Sequence, residues 1–584
     1  MKTRLALYVF WEKNGIVGDY VTYYLKALKQ VAEKVVVVNG QLSSAGEDIF
    51  KNLGVDFLVR ENLGLDFSGW KTALERQGRD EVATYDELIL CNCSCYGPVY
   101  PFSEVFDAME KRDCDFWGLY RHPSIEGHFP AHLQSYFLVI RKALFTSQPF
   151  ADYWQALTPA ASWEQAVAQE THFTQYFEEK GFTSSAYVES CECGKLFENP
   201  TVVLAHKLLA NDRFPLVKRK AFTETYDYLF AFGNASQAKE TLEFLQTTSF
   251  PISHIYQDLL HTMQNSDIRK MLHHSFVLPD ENVTLSSDIE DKIAVIVFSY
   301  YADLVDEDIA YMQSMPAESD AYIVVVSDAL QEIWDQKKAE LPCKNVFIRK
   351  QANRGRNENA YWLTCRDVIE GYDFICVAHD KKTPSAKPPV KGHYFSRHCW
   401  DNILKSPDYV RSILDLMQRR PEIGILMPPT PIFGKFATNI LHNEWADNRY
   451  VAKEIFNRLK ISIPFDEHPD APWGAMFWLR GKAMAPFYRY NWTIEDFPEE
   501  PIPVADGTIL HAMERMYPMI AQEAGYFSAW IMPASEAGVH LDNMYHQAKT
   551  YSPNNPDPEV HFKPLCRMIK AYWLKKWRKL TKRG

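Results

Sequence analysis

Short apolar runs alternate with amphipathic stretches along this chain, and the alternation occurs twice. The first half carries "RLALYVFW" (4–11), "KVVVVNG" (34–40), "DFLVRENLGLDFSGWKTAL" and "YDELILCNCSCYGP", with "DYVTYYLKAL" as a helical segment between the first two. The second half carries "KIAVIVFSYY" (292–301), "AYIVVVSD" (321–328), "NVFIRKQANRGRNENAYWLTCRDVI" and "YDFICVAHD", separated by "VDEDIAYMQSM" and "LQEIWDQKKAEL". Apolar runs of this length bounded by turn formers predict central strands covered on both faces. Strands alternating with helices predict an α/β fold with a mostly parallel, Rossmann-like sheet. Moreover, "VRENLGLDFSGW" (59–70) parallels "IRKQANRGRNENAYW" (348–362), and "YDELILCNCS" (85–94) parallels "YDFICVAHDK" (372–381). The expected organisation is therefore two related units in tandem, over 1–214 and 291–560, joined by a helical, strand-poor connector over 215–290.

Composition narrows the picture. With 584 residues, 46% hydrophobic and 24% charged, the chain has material for two or more cores. A net charge of −12 argues against nonspecific nucleic-acid binding, which needs a basic face. Eleven scattered cysteines suit reduced thiols better than a disulfide framework. "CNCSC" (91–95) and "CEC" (191–193) lack the C-x-x-C spacing of zinc ribbons and read as buried thiols. The opening "MKTRLALYVFWEKNG" lacks a small-residue cleavage site and reads as a first strand. No run approaches the ~20 apolar residues of a membrane span, so a soluble or peripheral protein is expected. From 561 to 584 the chain carries only positive charges interleaved with aromatic and aliphatic residues. That pattern predicts an amphipathic helix on an anionic membrane surface, or one packed on its own domain.

Candidate chemistry collects at the predicted strand ends, where open α/β sheets bind ligands. "FICVAHDKK" ends in His379, Asp380, Lys381 and Lys382. The carboxylate suits a divalent cation bridging two phosphates, and the lysines suit the same charge without metal. "NRGRNENA" places Asn353 and Gly355 at a strand-to-helix turn, where free N–H groups favour a diphosphate. It is neither a P-loop nor a dinucleotide fingerprint. Asp328 ends a neighbouring strand and suits a ribose or base, or simply caps the next helix. Asp506 precedes a helix carrying His511, Glu514 and Arg515, as a general base or as a cap.

These residues together resemble a GT-A glycosyltransferase domain. The longer strings "IVGDYVTYYLKAL", "NLGLDFSGWKTAL", "CYGPVYPF", "VAHDKK" and "DGTILHAMERMYP" are similar to the rhamnan synthesis protein F family of bacterial rhamnosyltransferases, over nearly the whole chain. The resemblance implies two GT-A-like domains, a dTDP-β-L-rhamnose donor, a lipid-linked oligosaccharide acceptor, inversion at the anomeric carbon, and work at the cytoplasmic membrane face. It implies roles for Asp328 at the nucleoside, Asn353 and Gly355 at the donor loop, and Asp380 at the diphosphate or at its Mg or Mn. His540 is implied as a further metal ligand and Asp506 as the base. His379-Asp380-Lys381 departs from the family pattern D-x-D, which leaves metal dependence open. In the first half the resemblance assigns donor binding to Asn39, Asn62, Gly64, Asp66 and Asn92, the base to Glu170, and a His540 counterpart to His206. There Asn92-Cys93 replaces His379-Asp380, so this half either works without metal or only holds the acceptor. A non-catalytic glycan-binding or assembly protein, and a nucleotidyltransferase, are the readings from other classes.

Overall fold

Arg4–Phe10 forms β1, and all seven of its side chains are buried. The charge at its head is matched within the sheet: Arg4 meets Glu87 at 2.7 Å with both side chains nearly inaccessible. A buried ion pair of this kind is tolerated because each partner has the other in place of water. The structure, a computed structural model, describes residues 2–189, 199–231, 233–283, 290–382, 390–434, 443–502 and 506–550. The basic segment 561–584 and the cysteines at 191–193 lie outside them, as does the side chain of Asn39.

The described residues fall into two compact units, one drawn from 1–263 and 270–273, the other from 264–269 and 274–584. In the first unit, β1 is followed by β2 (Lys34–Asn39), β3 (Asp56–Val59), β4 (Glu87–Asn92), β5 (Cys95–Tyr96), β6 (Phe116–His122), β7 (His132–Leu133), β8 (Phe137–Arg141), β9 (Ser184–Val188) and β10 (Val217–Lys218). The sheet runs β3-β2-β1-β4-β8-β6, with β7 and β9 both on β6, and β5 pairs with β10 apart from it. Helix α1 (Asp19–Leu28) buries Tyr20, Val21, Tyr24, Leu25 and Leu28, one stripe at helical spacing. Two more helices matter below, α2 (Leu65–Gln77) and α3 (Trp163–Glu179).

The second unit contains β11 (Ser275–Leu278), β12 (Ile293–Phe298), β13 (Asp320–Val325), β14 (Asn345–Lys350), β15 (Phe374–His379), β16 (Ile423–Met427), β17 (Phe477–Arg480) and β18 (Phe527–Pro533). Its order is β14-β13-β12-β15-β17-β16-β18-β11. From β14 to β18 this is the path of the first sheet from β3 to β9: four parallel strands, an antiparallel β17 or β8, and a closing parallel pair. The strands alternate between two apolar layers. Val295, Val297, Ile323 and Cys376 enter one core, and Ala294, Ile296, Val324 and Val377 enter the other. Covering on both faces is why these strands read as unbroken apolar runs. The supporting helices are α4 (Asp328–Lys337), α5 (Val390–Leu404), α6 (Ile509–Glu523) and α7 (Ala534–Thr550).

The stretch 215–290 is mainly helical, with Lys220–Thr223, Tyr226–Ala231, Gln237–Gln246 and Ser253–Thr262 in the first unit. It also contributes β11, whose "SFVL" is too short for its periodicity to announce a strand.

Candidate active site

The register of the parallel strands brings corresponding residues to the tips of both sheets. Val9 lies opposite Asn92, and Phe298 lies opposite His379. One residue further on, the Cys93 N–H donates to the Val9 carbonyl at 3.0 Å and the Asp380 N–H donates to the Phe298 carbonyl at 3.2 Å. Asn92-Cys93 and His379-Asp380 therefore occupy equivalent positions. The adjoining loops also share a backbone. Gly64 (φ +77°) precedes Leu65 (φ +52°), and Gly355 (φ +77°) precedes Arg356 (φ +49°). A Cβ at Gly64 would lie 2.8 Å from Pro159 Cα, and one at Gly355 2.9 Å from Phe497 Cβ. Only glycine meets both the left-handed conformation and the close approach.

In the second unit these elements enclose a cavity of about 580 Å³, lined in part by Asn353, Arg356, Glu358, the run His379 to Lys382, His511 and Glu514. Asp380 Oδ2 accepts the N–H groups of Tyr300 and Tyr301 at 2.7 and 2.6 Å. Its Oδ1 is buried and has no hydrogen-bond partner among the described residues. Burial pushes this carboxyl up to about 6 against the opposing pull of the two backbone bonds and Lys382. His379 sits between the carbonyls of Asp380 and Gly474, at 2.7 and 2.8 Å. Burial, assisted by Lys381, brings it down to about 4 against the opposing pull of these two carbonyls. Three cations line the same cavity. Arg356 pairs with Glu500 at 2.6 Å, Lys382 with Asp303 at 2.6 Å, and the Lys381 ammonium lies 4.7 Å from the centre of the Phe395 ring.

Three acids lining this cavity, Glu358, Glu500 and Glu514, were not among the sequence candidates for site chemistry. Glu514, on α6, accepts the Gly474 N–H at 2.6 Å. Glu358 is buried against Trp362 and Tyr517, and burial raises its carboxyl to about 7. The signal for Glu514 was present in "LHAMER", where His511 and Glu514 stand three apart and share a helix face. Tyr300, 41% exposed at the tip of β12, offers an aromatic surface beside the same cavity.

Of the residues singled out from the sequence, Asn353, His379, Asp380, Lys381 and Lys382 line this cavity, and Gly355 shapes its loop. Asp506 lies beside it. Its Oδ1 accepts from Asn448 Nδ2 at 2.7 Å and stands 3.9 Å from His511 Nδ1. Asp328 opens α4, pairs with Lys350 at 2.5 Å and is not among the lining residues. His540 lines a different cavity, with His398 and Glu536, so it does not converge with Asp380. Among the described residues no group of three or more His, Cys, Asp or Glu is arranged to hold a metal ion. Asp380 Oδ1 is the one oxygen of that carboxylate left to take part in holding a cation.

The first unit gathers a comparable set at its strand tips. Asn92 Nδ2 donates to Asp66 Oδ2 at 2.7 Å, while Asn92 Oδ1 accepts the Ser94 hydroxyl at 2.6 Å. Burial raises Asp66 to about 6, partly offset by Asn92 and Lys218. Lys218, on β10, reaches Ser94 Oγ at 3.3 Å and lies 4.0 Å from the centre of the Tyr136 ring. Glu170, on α3, accepts the Ser135 N–H at 2.6 Å and lies 3.6 Å from His132 Nε2. Burial alone would raise Glu170, but His132, Ser135 and Lys218 together hold it at about 2. Asn62 is exposed on the Gly64 loop, Asn39 ends β2, and His206 lies 3.4 Å from Glu240.

The two glutamates correspond. Arg141 lies opposite Glu87 and Arg480 opposite Phe374, and counting back equally from each arginine reaches Ser135 and Gly474. These are the residues whose N–H groups bind Glu170 and Glu514, so the same backbone donor holds a carboxylate in both units. The partner of Glu170 in the second unit is thus Glu514 rather than Asp506.

Comparison with known proteins places this geometry in context. No curated protein matches the chain. It is similar to the glycosyltransferase GlyE of Streptococcus pneumoniae, with 12% identity over 68% of this chain and 90% of that one, at a TM-score of 0.23. It is also similar to the mannosyltransferase PcManGT of Pyrobaculum calidifontis, solved with GDP-Man and Mn2+, with 12% identity over 48% of this chain and 71% of that one, at a TM-score of 0.23. The family described as rhamnan synthesis protein F matches residues 34–526, from the first unit's β2 to the residue before β18. The chain therefore belongs to the rhamnan synthesis protein F family.

Proposed function

We propose that the protein is an inverting rhamnosyltransferase that moves L-rhamnose from dTDP-β-L-rhamnose to a lipid-linked rhamnan acceptor, with one linkage made by each unit. The observation that carries this reading is the glutamate held by a matching backbone N–H beside the strand tips of both sheets. In the second unit an acceptor hydroxyl attacks the anomeric carbon as the bond from that carbon to the diphosphate oxygen breaks. Glu514 receives the hydroxyl proton, and dTDP leaves against Arg356, Lys381 and Lys382. A single in-line displacement inverts the configuration. His511 Nδ1 is bonded to Thr508 Oγ1 at 2.8 Å, which keeps the ring oriented on the wall of the cavity, while Asp506, 3.9 Å from the same nitrogen, adds a negative charge beside it. A divalent cation, where used, would be held by Asp380 and would neutralise diphosphate charge.

In the first unit Glu170 plays the base, Asp66 and Asn92 receive the donor, and Lys218 supplies the positive charge. The basic, aromatic-rich sequence over 561–584 supports work on an anionic membrane surface, where a lipid-linked acceptor resides. Among the described residues no helix is long and apolar enough to cross a membrane. A second reading, in which only the second unit is catalytic and the first holds the acceptor, is favoured by the thiol of Cys93 where the other unit has Asp380. Release of dTDP from dTDP-rhamnose in the presence of acceptor, followed by linkage determination in the product, tests both. Loss of one linkage in Glu170→Gln supports two active units, and no release by the native chain overturns the proposal.

A further inference from the structure

The second unit holds another cavity, of about 430 Å³, which shares no lining residue with the first. It is built from two facing helix stripes. Tyr394, Arg397, His398, Asp401 and Asn402 come from α5, and Glu536, Val539, His540 and Asn543 from α7. Spacings of three and four residues put each set on one helix face.

The charges of this cavity are balanced locally. Asp401 pairs with Arg397 and Lys405, both at 3.2 Å, and Lys405 also reaches Glu536 at 2.8 Å. Burial holds His398 at about 4, so its ring is neutral, and lowers His540. His398 Nε2 donates to the Pro429 carbonyl at 2.8 Å, which leaves Nδ1 as an acceptor. Asn402 is 4% exposed, and its Oδ1 has no hydrogen-bond partner among the described residues. A buried amide oxygen left without a donor costs free energy unless a ligand supplies one. Around these polar groups stand apolar and aromatic walls: Tyr394 and Val539, both more than half exposed, with Phe433 and Met532.

A cavity with paired charges, a neutral imidazole, an unfilled acceptor and an aromatic rim suits an uncharged polyhydroxylated ligand. Phosphate or nucleotide would meet no unbalanced positive charge here. The apolar walls suit the methyl group of a 6-deoxy sugar, and Tyr394 suits a sugar ring face.

We infer that this α5–α7 cavity is a distal glycan subsite, which grips a neutral deoxysugar segment of the acceptor some residues away from the end being extended. The inference rests on the proposed glycosyl transfer. The grip lengthens the stay of a growing chain and makes long acceptors better than short ones. Calorimetric titration of the full chain, without nucleotide, with a rhamnose hexasaccharide and with a glucose hexasaccharide tests it. Binding of the first and not the second is expected, weakened about tenfold in Tyr394→Ala, whose side chain is exposed, and in Asn402→Leu. The ratio of KM for a disaccharide acceptor to KM for the hexasaccharide should fall toward one in both variants. Equal affinity in native and variant chains, no hexasaccharide binding, or its displacement by dTDP overturns the inference. Hexasaccharide binding that needs Tyr394 in a chain that never releases dTDP would instead sustain the subsite and overturn the proposed reaction.

Discussion

At the strand tips of the two units the same backbone donor meets different chemistry. In the second unit the N–H of Tyr300 is received by the Asp380 carboxylate at 2.7 Å. In the first unit the corresponding N–H, that of Trp11, is received by the Cys93 sulfur at 3.4 Å. Burial pushes the Cys93 thiol up to about 11, so this acceptor is neutral where the other is an acid. The exchange removes one negative charge from the first tip, and with it the oxygen that would attract a divalent cation. Its positive charge also comes from elsewhere, from Lys218 on β10 rather than from the residues following the fourth strand. The glutamate on the following helix is kept in both. The two units thus share a glutamate held by a backbone N–H, the proton acceptor of the proposed reaction, and differ in how they would hold a diphosphate.

The sharpest way to break this comparison is at the glutamates. Glu514→Gln and Glu170→Gln are each expected to lower the rate of one linkage about 100- to 10,000-fold while sparing the other, as read by product linkage ratios. Loss of both linkages from either change would end the pairing. Next in size, Asp380→Asn should lower the second unit's rate about 100-fold. Cys93→Ser should change the first unit's by no more than a few-fold, because one neutral acceptor replaces another. Assays with and without EDTA should then show chelator sensitivity, if any, only in the linkage that Asp380→Asn removes.

Stability effects sharpen the comparison further. Gly64→Ala is expected to cost about 2–3 kcal/mol and Gly355→Ala about 1–2 kcal/mol, measured by urea unfolding. The order follows from crowding, since a Cβ at Gly64 meets the backbone of Pro159, whereas one at Gly355 meets side-chain atoms of Phe497 and Asn359. The smallest effect concerns Glu358, whose place in the first unit, counted from the loop glycines, is taken by the buried Phe67. With its folded value near 7 against an ordinary 4.5, the folded chain holds more protons than the unfolded chain between these limits. Its contribution to stability therefore falls as pH rises from 4.5 to 7 and stays low above. Glu358→Gln should raise the melting temperature by about 2 °C at pH 8 and not at pH 4.5.

Much of the fold and part of the site were legible along the chain. β1, β2, β4, β12, β13 and β15 follow the apolar runs, because strands buried on both faces leave no polar interruptions. Asn353, His379, Asp380 and the two lysines stood out because charges abruptly end such a run. Asp506 attracted attention as an acid ahead of a helix, in the place of a cap, but Thr508 takes the cap position and Asp506 accepts from Asn448 instead. Glu514 did not, because its environment depends on a backbone N–H forty residues earlier. Lys218 was hidden for the same reason, since β10 meets β5 only through long-range pairing. His540 follows α7 into the second cavity, a destination set by helix packing.

The sequence by itself determined that there are two α/β units, where their central strands run, and which polar residues stand at the strand ends, because these follow from periodicity within a few residues. Tertiary structure alone decided which carboxylate meets the equivalent backbone donor, what receives the N–H after the first strand, and which imidazoles share a cavity. Those outcomes depend on sheet register and helix packing between segments far apart in the chain, and periodicity carries no information about such distances.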